Sequence, residues 1–163
     1  MEKVFGATER HDTLIVLSTK RAVLIFGYGE KDGQGYDYRH TFLHVPTKQE
    51  IVEVITSHIN ELTDKRILED FVWNGKNVWL SAENQRNFSE AQRAAMIMPD
   101  KALPVKFKLG EDADGKPVYH TFESVEELTG FYLNAVAYVQ QCINEGWQQK
   151  DAATEWVQTL DIE

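Results

Sequence analysis

Hydrophobic positions along the chain follow a two-residue period in some segments and a helical period in others. The β-branched-rich runs Thr13–Ser18 and Arg21–Phe26 are separated by a short polar turn and predict an antiparallel hairpin. Both runs are apolar on both faces, whereas a strand that is covered on one side only alternates. We therefore expect these two strands to lie in mid-sheet under a helix, or to be covered by another subunit.

A glycine-rich segment, residues 27–35, interrupts the apolar pattern and is followed by a predicted strand from Tyr36 to Leu43. Glycines after a strand can surround a phosphate, but the spacing here matches neither a P-loop nor a dinucleotide-binding fingerprint. The turn chemistry of glycine therefore favours a flexible hairpin loop over a ligand-binding loop.

Two more hairpins are predicted in the second half of the chain. Asn74-Gly75 suits a tight turn within residues 71–80. Strand parity gives this hairpin two faces, one with Phe71, Trp73, Val78 and Leu80, the other with Val72 and Trp79. The third hairpin spans residues 105–122, and its apolar residues share one face best when Phe107 lies opposite His120.

Three helices are predicted from hydroxyl residues that can cap a helix, Thr47, Ser81 and Ser124. Thr47 and Ser124 are each followed three residues later by a glutamate, which completes a capping box. The helices are expected at about 47–62, 82–98 and 124–145 from their apolar stripes. Gly146 is expected to end or kink the third helix.

These elements predict an α+β fold with largely antiparallel β-hairpins packed against about three α-helices. The pattern fits a single α+β domain over residues 1–163. It also fits two lobes, 1–70 with a hairpin and a helix and 71–147 with hairpins and two helices. Residues 148–163 are predicted as a polar C-terminal end.

Charge and composition exclude several classes of function. The 163 residues include 26 acidic and 17 basic side chains, a net charge of −9, so we expect no nucleic-acid partner. The apolar runs are far shorter than the ~20 residues of a membrane-spanning helix, so no membrane partner is expected. The N-terminus lacks the features of a signal peptide, which predicts a protein that is made in the cytoplasm and not secreted by that route.

Candidate catalytic and metal-binding residues do not form a recognisable pattern. The five histidines form no helical ligand pair, and Cys142 lies on an apolar helix stripe, where an inert packing role is expected. Residues 112–115 resemble the opening of a calcium loop, but a strand begins too soon for its closing glutamate. We expect no catalytic residues, no cofactor and no metal, and a non-enzymatic protein. Glycan hydrolysis stays an alternative, because a carboxylate pair is defined by its spacing in three dimensions.

Tryptophans supply the candidates for an interaction site. Trp73 and Trp79 lie on opposite faces of one hairpin, so both cannot enter the same core layer. Burial under a helix is the ordinary fate of each, whereas an exposed indole suits a partner protein or a sugar ring. Trp73, Trp79 and Val72, which shares a face with Trp79, are therefore the candidate interaction residues.

Several passages together resemble a small uncharacterised protein family of tailed phages and prophages of gut Bacteroides-type bacteria. They are residues 46–51, 71–85, 103–109, 119–122 and 145–147, the most specific being Trp-Leu-Ser-x-Glu-Asn-Gln at 79–85. The family resembles a domain of unknown function encoded near tail-fibre genes.

The resemblance implies a virion or tail-associated structural protein that acts through protein–protein contacts with tail, fibre or other virion proteins. A homo-oligomer fits the two-sided apolar strands. Two alternatives stay open: a carbohydrate-binding or cell-wall-active accessory protein, and a fibre-assembly chaperone or host-interaction factor that is absent from the virion.

Overall fold

Strands and helices alternate in groups along the chain, as expected for an α+β fold. The computed structural model describes residues 1–162, which contain eight strands and four helices. They form two compact units. The first comprises Met1–Asn60 together with the chain from Trp147 onward, and the second comprises Glu61–Gly146.

The first unit contains a four-stranded antiparallel sheet. Its strands are β1 (Glu2–Phe5), β2 (Thr13–Ser18), β3 (Arg21–Lys31) and β4 (Gln34–Phe42), in the order β1-β4-β3-β2. Helix α1 (Lys48–Glu69) supplies Ile51, Ile55 and Ile59 to the same core as Leu24 and Phe42. The hairpin of β2 and β3 is confirmed, but the mid-sheet position expected for both strands is wrong for β2, which lies at the sheet edge.

Most of the glycine-rich segment, residues 27–35, is strand and not the flexible loop that its composition predicts. β3 and β4 continue through most of residues 27–35, and only Asp32-Gly33, both with positive φ, connect them. The glycines in these strands leave room for neighbours: a side chain at Gly29 would meet the Tyr36 ring, and one at Gly35 would meet the Ala7 carbonyl. Glycine therefore serves close approach here, as well as the turn.

The second unit contains two hairpins and the helices that cover them. The strands are β5 (Phe71–Trp73), β6 (Lys76–Val78), β7 (Val105–Glu111) and β8 (Pro117–Phe122). The helices are α2 (Ala82–Ile97), the short α3 (Pro99–Ala102) and the part of α4 (Val125–Gln158) that ends at Gly146. The tight turn at Asn74-Gly75 is confirmed by φ angles of 49° and 72°, and the predicted register of the third hairpin is confirmed by the pairing of Phe107 with His120.

Aromatic rings fill the core of this unit. Phe131 of α4 is fully buried, and its ring centroid lies 4.9 to 6.4 Å from those of four other rings, Phe71, Trp73, Phe88 and Phe122. The four residues that were predicted to share one face of the first of these hairpins are all buried: Phe71, Trp73, Val78 and Leu80. Burial of the rings fixes which face of each hairpin points away from the core.

All three predicted helix caps are present. Glu50 N–H donates to Thr47 Oγ1 at 3.3 Å, Asn84 N–H to Ser81 Oγ at 3.1 Å and Glu127 N–H to Ser124 Oγ at 3.1 Å. The Glu50 carboxylate accepts the Thr47 N–H at 2.8 Å, which closes the capping box. The hydrogen bonds from Thr47 and His44 hold the pKa of Glu50 below its usual value.

Helix α4 does not end at Gly146, as the sequence predicts, but continues to Gln158. Gly146 is buried, and a side chain there would lie 2.8 Å from Thr63 Oγ1 of α1. This glycine therefore permits close approach of two helices and does not end one. Most of the predicted polar C-terminal end is helical, with Ala153 and Val157 in the first unit's core. Across residues 1–162, every helix is too short or too polar to span a bilayer.

Candidate interaction surface

The side of the second unit's hairpins that points away from the aromatic core carries five side chains that form a candidate interaction surface. We call it the outer face, and it consists of Val72, Trp79, Lys106, Lys108 and Tyr119. Lys108 pairs with Tyr119 across β7 and β8, and Lys106 lies one pair further along the same side of β7. The surface combines apolar and aromatic groups with two positive charges.

Hydrogen bonds hold the main chain of Trp79 in place. Its N–H donates to Leu109 O at 2.7 Å, which joins the two hairpins, and its carbonyl accepts from Asn84 Nδ2 at 2.8 Å. The next carbonyl, that of Leu80, accepts from Gln85 Nε2 at 2.6 Å. Ser81 caps α2, and Asn84 and Gln85 of its first turn donate to the carbonyls of Trp79 and Leu80. We call residues 79–85 the joint, because these bonds connect the start of α2 to the end of the first hairpin.

The side chains of this surface differ in how much of each is exposed to solvent. Val72 is 56% exposed and Tyr119 is 51% exposed, whereas Trp79 is half-buried. Lys108 Nζ lies 5.1 Å from the centroid of the Trp79 ring, and Lys106 Nζ lies 4.6 Å from that of Tyr119. Both lysines are within the range of a cation–π interaction, which orders their ammonium groups beside the aromatic rings.

Trp73, the third predicted interaction residue, belongs to the core. It is 9% exposed, and its ring lies 5.5 Å from that of Phe122 and 5.0 Å from that of His120. Because Trp73 and Trp79 point to opposite sides of the hairpin, one is buried and the other reaches the surface. Of the three predicted residues, Val72 and Trp79 therefore belong to the candidate surface, and Trp73 packs in the core on the opposite side of the hairpin.

A chain of three polar side chains, Lys76, His120 and Glu127, lies beside Trp73. Lys76 Nζ donates to His120 Nδ1 at 2.9 Å, and His120 Nε2 lies 2.8 Å from Glu127 Oε1. An ammonium group cannot accept, so Nδ1 is the acceptor and Nε2–H donates to the carboxylate. The bond from His120 holds the pKa of Glu127 below its usual value.

This chain ties both hairpins to the first turn of α4. Both ring nitrogens of His120 are used in holding these elements together, which is a structural role. The predicted register put His120 on the buried side of its hairpin, whereas nothing local indicated which residues of β6 and α4 would reach it.

The other candidates for chemistry are dispersed. Cys142 is buried, His58 packs its ring 4.2 Å from that of Tyr38, and Asp112 Oδ1 accepts two main-chain N–H groups of its own turn. Within the described range 1–162, no three histidine, cysteine or acidic side chains come together in a way that could hold a metal ion.

Lys106, Lys108 and Tyr119 were not among the predicted site residues. The predicted register of Phe107 opposite His120 already implies that Lys108 faces Tyr119 on the other side of the hairpin. This register was therefore sufficient to place Lys106, Lys108 and Tyr119 on one side of the hairpin.

Comparison with known proteins identifies a family for most of the chain. The model of a domain of unknown function (DUF4376) matches residues 50–163, which include the whole second unit and exclude β1 to β4. No match is found among curated proteins or solved structures. The chain belongs to the DUF4376 family.

Proposed function

We propose that this member of the DUF4376 family is a non-enzymatic structural or tail-associated protein of a tailed phage or prophage of gut Bacteroides-type bacteria. It acts through protein–protein contacts with a tail, fibre or other virion protein. The resemblance of residues 79–85 and of the other quoted passages motivates the phage context. The single observation that supports a contact function is the outer face, where exposed Val72 and half-buried Trp79 lie on the same side of one hairpin.

In protein interfaces, a few aromatic residues in well-packed surroundings carry most of the binding energy. Trp79 has this character: hydrogen bonds to Leu109 O and from Asn84 Nδ2 hold its main chain, and its half-buried ring lies 5.1 Å from Lys108 Nζ, so the side chain is partly ordered before a partner arrives. A side chain that is already ordered loses little conformational entropy on binding.

Charge indicates which kind of partner surface fits. Lys106 and Lys108 place two positive charges beside the aromatic rings in a chain whose net charge is −9. A partner that presents an apolar pocket rimmed by carboxylates would be complementary to this surface. Association should then weaken as salt screens these charges.

The test is binding of purified tail and fibre proteins to the wild-type protein and to Trp79→Ala. Removal of a central tryptophan costs about 2 kcal/mol or more at such a site, so the dissociation constant should rise at least about 30-fold. Leu133→Ala is the matched control, because Leu133 is 59% exposed on α4 and outside the outer face. Equal binding by Trp79→Ala and wild type would show that Trp79 is not the anchor.

A specific feature favours one alternative, a carbohydrate-binding accessory protein. The ring of Tyr119 is exposed and lies beside Lys106, a combination that suits a sugar ring carrying an acidic group. Wild type and Tyr119→Ala can be compared on a glycan array that includes acidic polysaccharides. Binding that is lost in the variant would favour the glycan, whereas no binding by wild type would leave the protein partner as the better proposal.

A further inference from the structure

The edge strand β2 presents an unusual surface for a sheet edge. Its six residues, Thr13–Ser18, include neither a charged side chain nor a proline. Three consecutive apolar residues are exposed there: Ile15 at 43%, Val16 at 51% and Leu17 at 57%. Such runs are rare on protein surfaces unless they serve a contact. Alternate N–H and C=O groups of an edge strand also point away from its single neighbour.

The opposite edge of the same sheet lacks these properties. β1 has only four residues, two of which, Glu2 and Lys3, are charged. Lys3 Nζ lies 3.8 Å from the centroid of the Tyr36 ring, which holds this charge against the sheet. Short length and charge are the devices that keep edge strands from pairing. The first unit therefore protects one edge and leaves the other open.

We propose that β2 pairs antiparallel with β2 of a second copy of this chain, so that two four-stranded sheets become one. A two-fold axis perpendicular to the sheet produces this arrangement and keeps equivalent faces of the two sheets on the same side. With the axis at Ile15, each Ile15 faces the other, and Thr13 faces Leu17. The pairing of β2 with β3 shifts between Val16 and Ser18, so Leu17 is the last residue of the proposed register.

Charge at the two ends of β2 favours the antiparallel direction. Glu9, Arg10 and Asp12 precede the strand, with Arg10 paired to Asp12 at 2.7 Å, so this end carries one net negative charge, and Lys20 and Arg21 follow the strand. Antiparallel pairing brings the weakly negative end of one copy to the basic end of the other. Parallel pairing would instead place the two Lys20-Arg21 ends together, which like charges disfavour.

This inference goes beyond the proposed function and does not depend on it. The strand lies in the first unit, outside the residues that the family model matches. Dimerisation would display two copies of the outer face at once. Two linked sites raise the apparent affinity for a repetitive partner such as a fibre.

The test uses size-exclusion chromatography with light scattering. Wild type should have the molar mass of two chains. Ile15→Lys and Ile15→Glu should each be monomeric, with the dissociation constant raised at least about tenfold, because like charges then face each other. An equimolar mixture of the two variants should recover the dimer. Leu43→Lys, at a residue 81% exposed and outside β2, is the control and should stay dimeric.

Two results would overturn the proposal. One is a wild-type protein that is monomeric up to its solubility limit. The other is a dimer that Ile15→Lys leaves intact. Circular dichroism of each variant establishes that it folds, and recovery in the mixture separates loss of pairing from loss of folding.

Cross-linking tests the direction of pairing. Thr13→Cys and Leu17→Cys proteins, when mixed, should be joined by a short thiol-to-thiol cross-linker, and neither should be joined to itself. The native Cys142 is buried and should not compete. Efficient joining of Thr13→Cys to itself would contradict the antiparallel register.

Discussion

Two glycine-to-alanine substitutions in the second unit should change stability in opposite directions. Gly110 lies in β7, where an added Cβ would sit 2.8 Å from the carbonyl oxygen of Asn77 and 3.4 Å from Cδ1 of Trp79. The closest of these atoms is backbone, so the strands must move apart by about half an ångström. Overpacking of this kind costs about 1–3 kcal/mol.

Gly130 lies in the interior of α4, and an added Cβ there meets no atom within 4 Å. Gly130→Ala should therefore stabilise the protein by about 0.5–1 kcal/mol, because alanine loses less backbone entropy in a helix. The two variants make the same chemical change in one unit, so each is the control for the other.

The assay is urea denaturation followed by far-UV circular dichroism, with amide hydrogen exchange to report on the second unit by itself. Gly110→Ala should lower the denaturation midpoint, and Gly130→Ala should raise it. A stability of Gly110→Ala within about 0.5 kcal/mol of wild type would refute the close approach of β6 to β7. That approach supports Trp79, so the outer face would have to be reconsidered as well.

Three further predictions concern the same unit. Ser81→Ala should cost about 1 kcal/mol of unfolding free energy in urea, because the Asn84 N–H loses its cap, and no change would count against the joint at 79–85. Phe131→Ala should cost about 3–5 kcal/mol, since four rings lose their shared neighbour, and a smaller loss in thermal melts would indicate a core that readjusts. The lowered pKa of Glu127 contributes stability above its ordinary value of 4.5 that is lost as pH falls through the lower folded-state pKa. Glu127→Gln should thus flatten the pH dependence of unfolding on the acid side, and an unchanged pH profile would contradict the bond from His120.

Local chemistry made much of this fold predictable. The two-residue turn at Asn74-Gly75 and the alternation around it determine which side chains of that hairpin share a face. Thr47, Ser81 and Ser124 mark helix starts because a cap needs only residues within one turn. The pairing of Phe107 with His120 followed from the requirement that apolar residues share a face.

Glycines and strand positions were harder to predict, because their roles depend on distant residues. In the sequence, Gly146 looks like a helix end and Gly35 looks like part of a loop. Each instead makes room for a neighbour that is far away in the sequence. β2 lies at the sheet edge because the remaining strand of the sheet, β1, pairs with β4 and not with β2. β1 was not predicted from the sequence, so this edge position could not be predicted either. The partners of His120 were missed for the same reason.

The proposed function is tested most directly by mass spectrometry of purified virions after lysine cross-linking. Peptides of this protein should occur in the particle, and Lys106 and Lys108 should be cross-linked to a tail or fibre protein. Absence from the mature particle would contradict a virion role and favour an assembly chaperone or a host-interaction factor.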